Sequence, residues 1–172
     1  PMHTRRVLLR VLGLALWLLC MLSAIAAPQA TPAADGLRPG QFKWTPELAP
    51  QGPVAVIVSL PEQRAYVYRN GVRIGVSTVS SGRPGFDTPS GVYTILQKRR
   101  EHYSNLYDNA PMPFMQRLTW GGVALHAGAL PGYPASHGCA RLPRAFAEKL
   151  FDVTSAGTVV VVASGAFPPT VV

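Results

Sequence analysis

In R-A-Y-V-Y-R-N-G-V-R-I-G-V-S-T-V-S, Arg64 to Ser80, two short runs rich in β-branched and aromatic residues flank Asn70-Gly71. That dipeptide is the strongest short hairpin signal, because a type I′ turn needs positive φ at both central positions. The alternation of Tyr66 and Tyr68 against Val67 and Arg69 is imperfect, but the run lengths and the turn residues predict two strands. On either side of this hairpin, V-A-V-I-V-S-L (54–60), G-V-Y-T-I-L-Q (91–97), V-A-L-H (123–126) and T-V-V-V-V-A (158–163) read as further strands. Pro143 followed by R-A-F-A-E-K-L-F places Phe146, Leu150 and Phe151 on one stripe, which predicts a short helix with proline at its first position. No internal repeat is visible. The expectation is a mostly β domain, a sandwich or barrel-like fold with one short helix.

The rest of the chain bounds that domain. With 172 residues, 48% of them hydrophobic, one core can be buried. The basic front of residues 2–10, the apolar run from Val11 and the small residues Ala24 and Ala26 have the layout of a secretory signal, read as residues 1–26 and cut after Ala26. An uncleaved anchor from Val11 to Ala27 is the alternative, at the lower end of about 17–25 residues for a spanning helix. Membrane contact is expected only through this segment. Residues 27–53, rich in Ala, Pro and Gly, read as a flexible tether, 54–165 as the folded domain and 166–172 as a tail. Removing Arg5, Arg6 and Arg10 with the signal lowers the formal charge from +8 to +5. That excess suits an anionic cell envelope as readily as plain solubility. Nucleic acid is not expected as a partner, because the only basic run, Lys98-Arg99-Arg100, is short and reads as a solvated strand end. An exported monomer of the periplasm or cell envelope is the expectation.

Removal of the signal takes Cys20 with it and leaves Cys139 as a single thiol in A-S-H-G-C-A-R-L-P, residues 135–143. A thiol attacks as thiolate and is mostly protonated at neutral pH, so a nucleophilic cysteine needs a base. His137 is close by local geometry if the segment is extended, whereas His126 has to be brought in by the fold. Gly138 permits an unusual backbone angle, and the Gly138 and Cys139 amides are candidate oxyanion donors. The positive end of a helix starting near Pro143 is expected to lower the thiol pKa, and Arg141 can hold a carboxylate or carbonyl. A zinc site of His126, His137 and Cys139 lacks a fourth ligand and any Cys-x-x-Cys pair, so no metal or cofactor is expected. His102 reads as a surface residue.

The run L-H-A-G-A-L-P-G-Y-P-A-S-H-G-C-A-R-L, Leu125 to Leu142, resembles the signature of L,D-transpeptidases of the YkuD type. The upstream S-S-G-R-P-G-F-D-T-P-S-G-V-Y, Ser80 to Tyr93, is similar to that family's glycine-rich segment. The resemblance implies a β-rich catalytic domain acting on peptidoglycan stem peptides, a tetrapeptide donor and an amine acceptor. It implies Cys139 as nucleophile and His126 as base, oriented by the carbonyl just after it. Ser136, His137, Gly138 and Arg141 match the supporting positions. Ala127 stands where glycine is frequent, and the short His126–Ser136 connection implies a smaller flap over the cleft. Tyr133, Trp120, Phe114 and Met115 are candidate walls for substrate. Hydrolysis on the same scaffold and a non-catalytic wall-binding module are the alternatives.

Overall fold

A computed structural model describes residues 35–165. The expected signal, the tether's first residues and the tail lie outside them. The order is β1 (Phe42–Trp44), a 3-10 turn (Pro46–Leu48), β2 (Val54–Ser59), β3 (Arg64–Arg69), β4 (Val72–Thr78), β5 (Gly91–Thr94), β6 (Gln97–Arg99), β7 (Met115–Arg117), β8 (Ala124–Ala127), β9 (Ala140–Leu142), α1 (Arg144–Val153) and β10 (Val159–Ala163). Strands β1-β4-β3-β2-β10-β5 form one sheet and β6-β7-β8-β9 another. The mostly β architecture with one helix is as expected. The β3–β4 turn has Asn70 at φ 49° and Gly71 at φ 80°, as a primed turn requires. Among the described residues no helix is long and apolar enough to cross a membrane.

One apolar core serves both sheets and the helix. Val56, Val58, Val67 and Val160 come from the first sheet, Leu125 and Leu142 from the second, and Phe146, Ala147 and Leu150 from α1. The predicted helical stripe is therefore the buried one, although Pro143 precedes the helix as its N-cap and Phe151 is half-buried. Lys98 turns its ammonium onto the last carbonyls of α1, those of Phe151 (2.5 Å) and Thr154 (2.6 Å), where the helix dipole is negative. Arg100 reaches Asp152 at 2.7 Å. The basic run is thus a strand end with Arg99 and Arg100 exposed, as expected, but Lys98 and Arg100 also tie it to α1.

Two expected boundaries are corrected. The segment 91–97 is not one strand: it leaves the first sheet after Thr94 and enters the second at Gln97. Ile95, 1% exposed, is the corner, with its N–H on Thr158 and that of Leu96 on Arg117. The tether is likewise too long as read, because residues 35–53 join the domain. Strand β1 pairs with β4, Phe42 and Trp44 pack their rings on Phe146 at 5.5 and 5.6 Å, and Asp35 binds Arg64 at 2.9 Å. Two aromatic contacts and an ion pair outweigh the low strand propensity of an Ala/Pro/Gly-rich neighbourhood.

Candidate active site

The floor of the site follows from register. Antiparallel pairing sets Arg117 against Ala124, and parallel pairing sets His126 against Arg141. Paired residues share a face, and so do residues two apart along a strand. Met115, Arg117, Ala124, His126, Cys139 and Arg141 therefore stand on one face of the second sheet, while Leu125, Ala140 and Leu142 point into the core. These six side chains line a cleft of about 440 Å³. Strand pairing, and not nearness in sequence, thus brings His126 and Cys139 to the same face and cleft.

His126 is oriented by the carbonyl of the residue that follows it. His126 Nδ1 lies 2.8 Å from the Ala127 carbonyl. A carbonyl only accepts, so Nδ1 carries the proton and Nε2 keeps its lone pair for the cleft. Burial, with Arg141 adding charge repulsion, pushes the imidazole pKa down to about 4 against the Ala127 bond that raises it. The Cys139 Sγ–H donates to the Gly122 carbonyl at 3.4 Å. Its pKa is raised, not lowered: burial dominates over the Ala124 amide and the charges of Arg141 and Arg117. The expected lowering of the thiol pKa is corrected accordingly. The resting pair is neutral thiol and neutral imidazole, because desolvation acts on both in the direction that removes charge.

The turn carrying the thiol is fixed from below. Gly138 sits at φ 109°, a conformation that L side chains rarely adopt, so glycine is required there. Ser136, 1% exposed, accepts the Gly138 N–H at 3.2 Å and donates to the Cys139 carbonyl. The Gly138 amide is therefore turned onto Ser136, which corrects its expected place in the oxyanion hole and leaves the Cys139 amide as the candidate. The glycine-rich segment underpins this turn. The Ser81 carbonyl accepts from Ala135 and Ser136, Arg83 donates to Ser136, and Ser80 and Arg141 exchange both backbone bonds, all at 3.0 Å. Gly82 has no room for a side chain, since a Cβ would lie 2.0 Å from the Phe86 carbonyl.

His137 also lines the cleft, with its ring taken up by aromatic partners. Gly138 breaks the extended geometry, and the His137 ring lies between Tyr107 (centroids 4.5 Å, near parallel) and Phe86 (4.9 Å, edge-on), with the Arg83 guanidinium 4.5 Å beyond Phe86. Tyr107 belongs to a flap, residues 102–113, that joins β6 to β7 and lines the cleft with His102, Tyr107 and Met112. Sequence reading missed this flap. Its signal was the turn at Asp108-Asn109, which adopts φ 42° and 51° at the tip. His102 is half-buried in the wall, not a surface residue, and burial together with Arg117 and Arg99 lowers its pKa. Of the predicted walls, Met115 alone lines the cleft. Trp120 (74% exposed) and Tyr133 (62%) stand outside it, and Phe114 is buried beneath.

The family described as the L,D-transpeptidase catalytic domain, YkuD, matches residues 53–162. "Probable L,D-transpeptidase 3" of Mycobacterium tuberculosis (strain H37Rv) is 32% identical over 107 residues, 51% of this chain and 38% of that protein. A crystal structure of an L,D-transpeptidase from Mycobacterium tuberculosis H37Rv superposes with TM-score 0.61 at 28% identity, over 64% of this chain and 57% of the other. L,D-transpeptidase 3 of the same species, in complex with a faropenem-derived adduct, superposes with TM-score 0.58 at 28% identity, over 63% and 59%. The chain thus spans less than two thirds of the length of each of these relatives.

Proposed function

Because the chain belongs to the YkuD family of L,D-transpeptidase catalytic domains, we propose that it is a cysteine acyltransferase working outside the cytoplasm on peptidoglycan stem peptides. The observation that carries this reading is a half-buried thiol and a buried imidazole that share one sheet face and line one cleft, the imidazole held by the Ala127 carbonyl at 2.8 Å. In the first step Cys139 Sγ attacks the carbonyl of the third stem residue, an L-centre, as its proton passes to His126 Nε2. The Cys139 amide donates to the developing oxyanion. The tetrahedral intermediate collapses, the C–N bond breaks, and the imidazolium returns the proton to the departing D-alanine amine. An imidazole held near pKa 4 is a weak base but a strong conjugate acid, which suits that second transfer. In the second step an amine of another stem peptide attacks the thioester, His126 again moving the proton, and a cross-link forms with the thiol restored. Arg141 holds a substrate carboxylate, and Ser136 and Gly138 keep the turn in shape.

Incubating the folded protein with a disaccharide tetrapeptide and weighing the products tests the reading. A dimer lacking one D-alanine is the expected product, and Cys139→Ser should abolish it without altering the melting temperature. Tripeptide alone would redirect the thioester to water, and unchanged substrate would overturn the catalytic reading. Faropenem should add mass at Cys139 in the unaltered protein.

A further inference from the structure

The floor of the cleft is cationic on both sides of the reactive pair. Arg117 on β7 and Arg141 on β9 flank the β8 strand that carries His126. Two strand spacings across and two residues along β8 put their backbones about 12 Å apart. Both side chains line the cleft, and among the described residues neither has a carboxylate within ion-pair distance. Arg117 is steadied by Nε donating to Gln97 Oε1 at 3.1 Å, which leaves its terminal nitrogens for a ligand. No aspartate or glutamate lines the cleft. A substrate that fills it has to bring the anions.

Arg144, at the start of α1, also lines the cleft, its guanidinium 5.3 Å from the Phe114 ring; the two guanidiniums of the floor have different neighbours, and that sets which part of a substrate each one meets. Arg141 is paired with His126, the group that protonates the leaving nitrogen, so the departing residue and its carboxylate lie on the Arg141 side. Arg117 is paired with Ala124 and lies on the opposite, acyl side. We propose that Arg117 is a specificity residue that reads a side-chain carboxylate on the acyl-donating residue, so that this chain selects donors whose third residue carries a free acid over the carboxamide. The inference rests on the stem-peptide reading and adds to it the charge state of the donor. An Arg–carboxylate contact exceeds Arg–carboxamide by roughly tenfold or more in affinity, because one partner loses its charge.

Binding and turnover separate the two claims. Tetrapeptides with a free or an amidated side-chain carboxyl at the third residue are titrated calorimetrically into the Cys139→Ala protein, and the same peptides are offered to the unaltered protein. The free acid should bind about tenfold tighter or more. Adding Arg117→Gln should bring the ratio near one, Arg117→Lys should keep part of it, and remote Arg73→Gln should keep all. Raising salt from 0.05 to about 0.5 M should shrink it. The ratio within one variant does not depend on how much of it is folded. Equal affinities, or an undiminished ratio in Arg117→Gln, overturn the inference even if both peptides are turned over. Tight, acid-selective binding with no turnover upholds it and overturns the transpeptidase reading instead.

Discussion

The floor and the flap of the cleft are built on opposite terms. Met115, Ser136 and Ala140 on or beside the floor are at most 1% exposed, and the turn between them is laced to the Ser80–Arg83 segment by a series of backbone bonds. The flap shows Tyr103 and Leu106 more than half exposed. It is held by a few bonds of its own, such as Ser104 to Ala110 at 2.9 Å, and by one ring laid on His137. Chemistry that needs fixed distances sits on the part that cannot move. The flap adds an outer wall to the cleft, over a floor that carries both the thiol and the arginines.

That contrast breaks most sharply at the base. His126→Ala should lower kcat/KM about 10²- to 10⁴-fold, the range of a lost general base, while His137→Ala should mainly raise KM. Equal losses in kcat would mean that the stacked histidine belongs to the floor after all. The pH profile is the next test. With its pKa pushed to about 4, His126 stays neutral and active at pH 5, where an ordinary imidazole would have lost about 30-fold of its basic form. The acid limb of kcat/KM is therefore expected near 4. Stability follows with the same sign: the folded pKa lies below the unfolded one. The contribution is complete above pH 6.5 and is lost as the pH falls from there toward 4, which denaturant titrations across that window will read.

Gly138→Ala probes the floor's backbone. Forcing a side chain into φ 109° should cost about 1–3 kcal/mol and reduce kcat through the displaced thiol. The smallest effect belongs to the flap. Tyr107→Ala should raise KM a few-fold at nearly constant kcat, and Tyr107→Phe should restore it, because the ring and not the hydroxyl stacks on His137. A fall in kcat with no change in KM would remove the distinction between the two regions.

What the sequence disclosed divides along similar lines. Local signals were legible: Asn70-Gly71 gave its turn, Pro143 its helix, and the Ser-His-Gly-Cys block its thiol. The carbonyl after His126 came from the family resemblance, and needs no distant partner because it is adjacent in the chain. The rest depended on partners far away in sequence. Phe42–Trp44 becomes a strand only because β4 and Phe146 await it, and Ile95 turns a corner because the core lies there. The thiol pKa went the wrong way in the sequence reading because a helix end and neighbouring charges are visible locally, whereas burial is a property of the assembled fold. Arg117 gave no signal at all, since its place beside the nucleophile exists only once β7 and β8 pair.

The parallel pairing of β8 with β9 has a further consequence for how such a domain can be altered. Bringing two neighbouring strands into the same direction takes a connection of about a dozen residues, and here residues 128–139 are all there is. This loop carries the thiol at its end and is already at its minimum, so deletions in it would tear the reactive pair apart. The β6–β7 connection joins antiparallel strands, which a two-residue turn could link, and its many extra residues are free of that constraint. Loop grafts meant to redirect the domain to new substrates belong between Arg100 and Phe114.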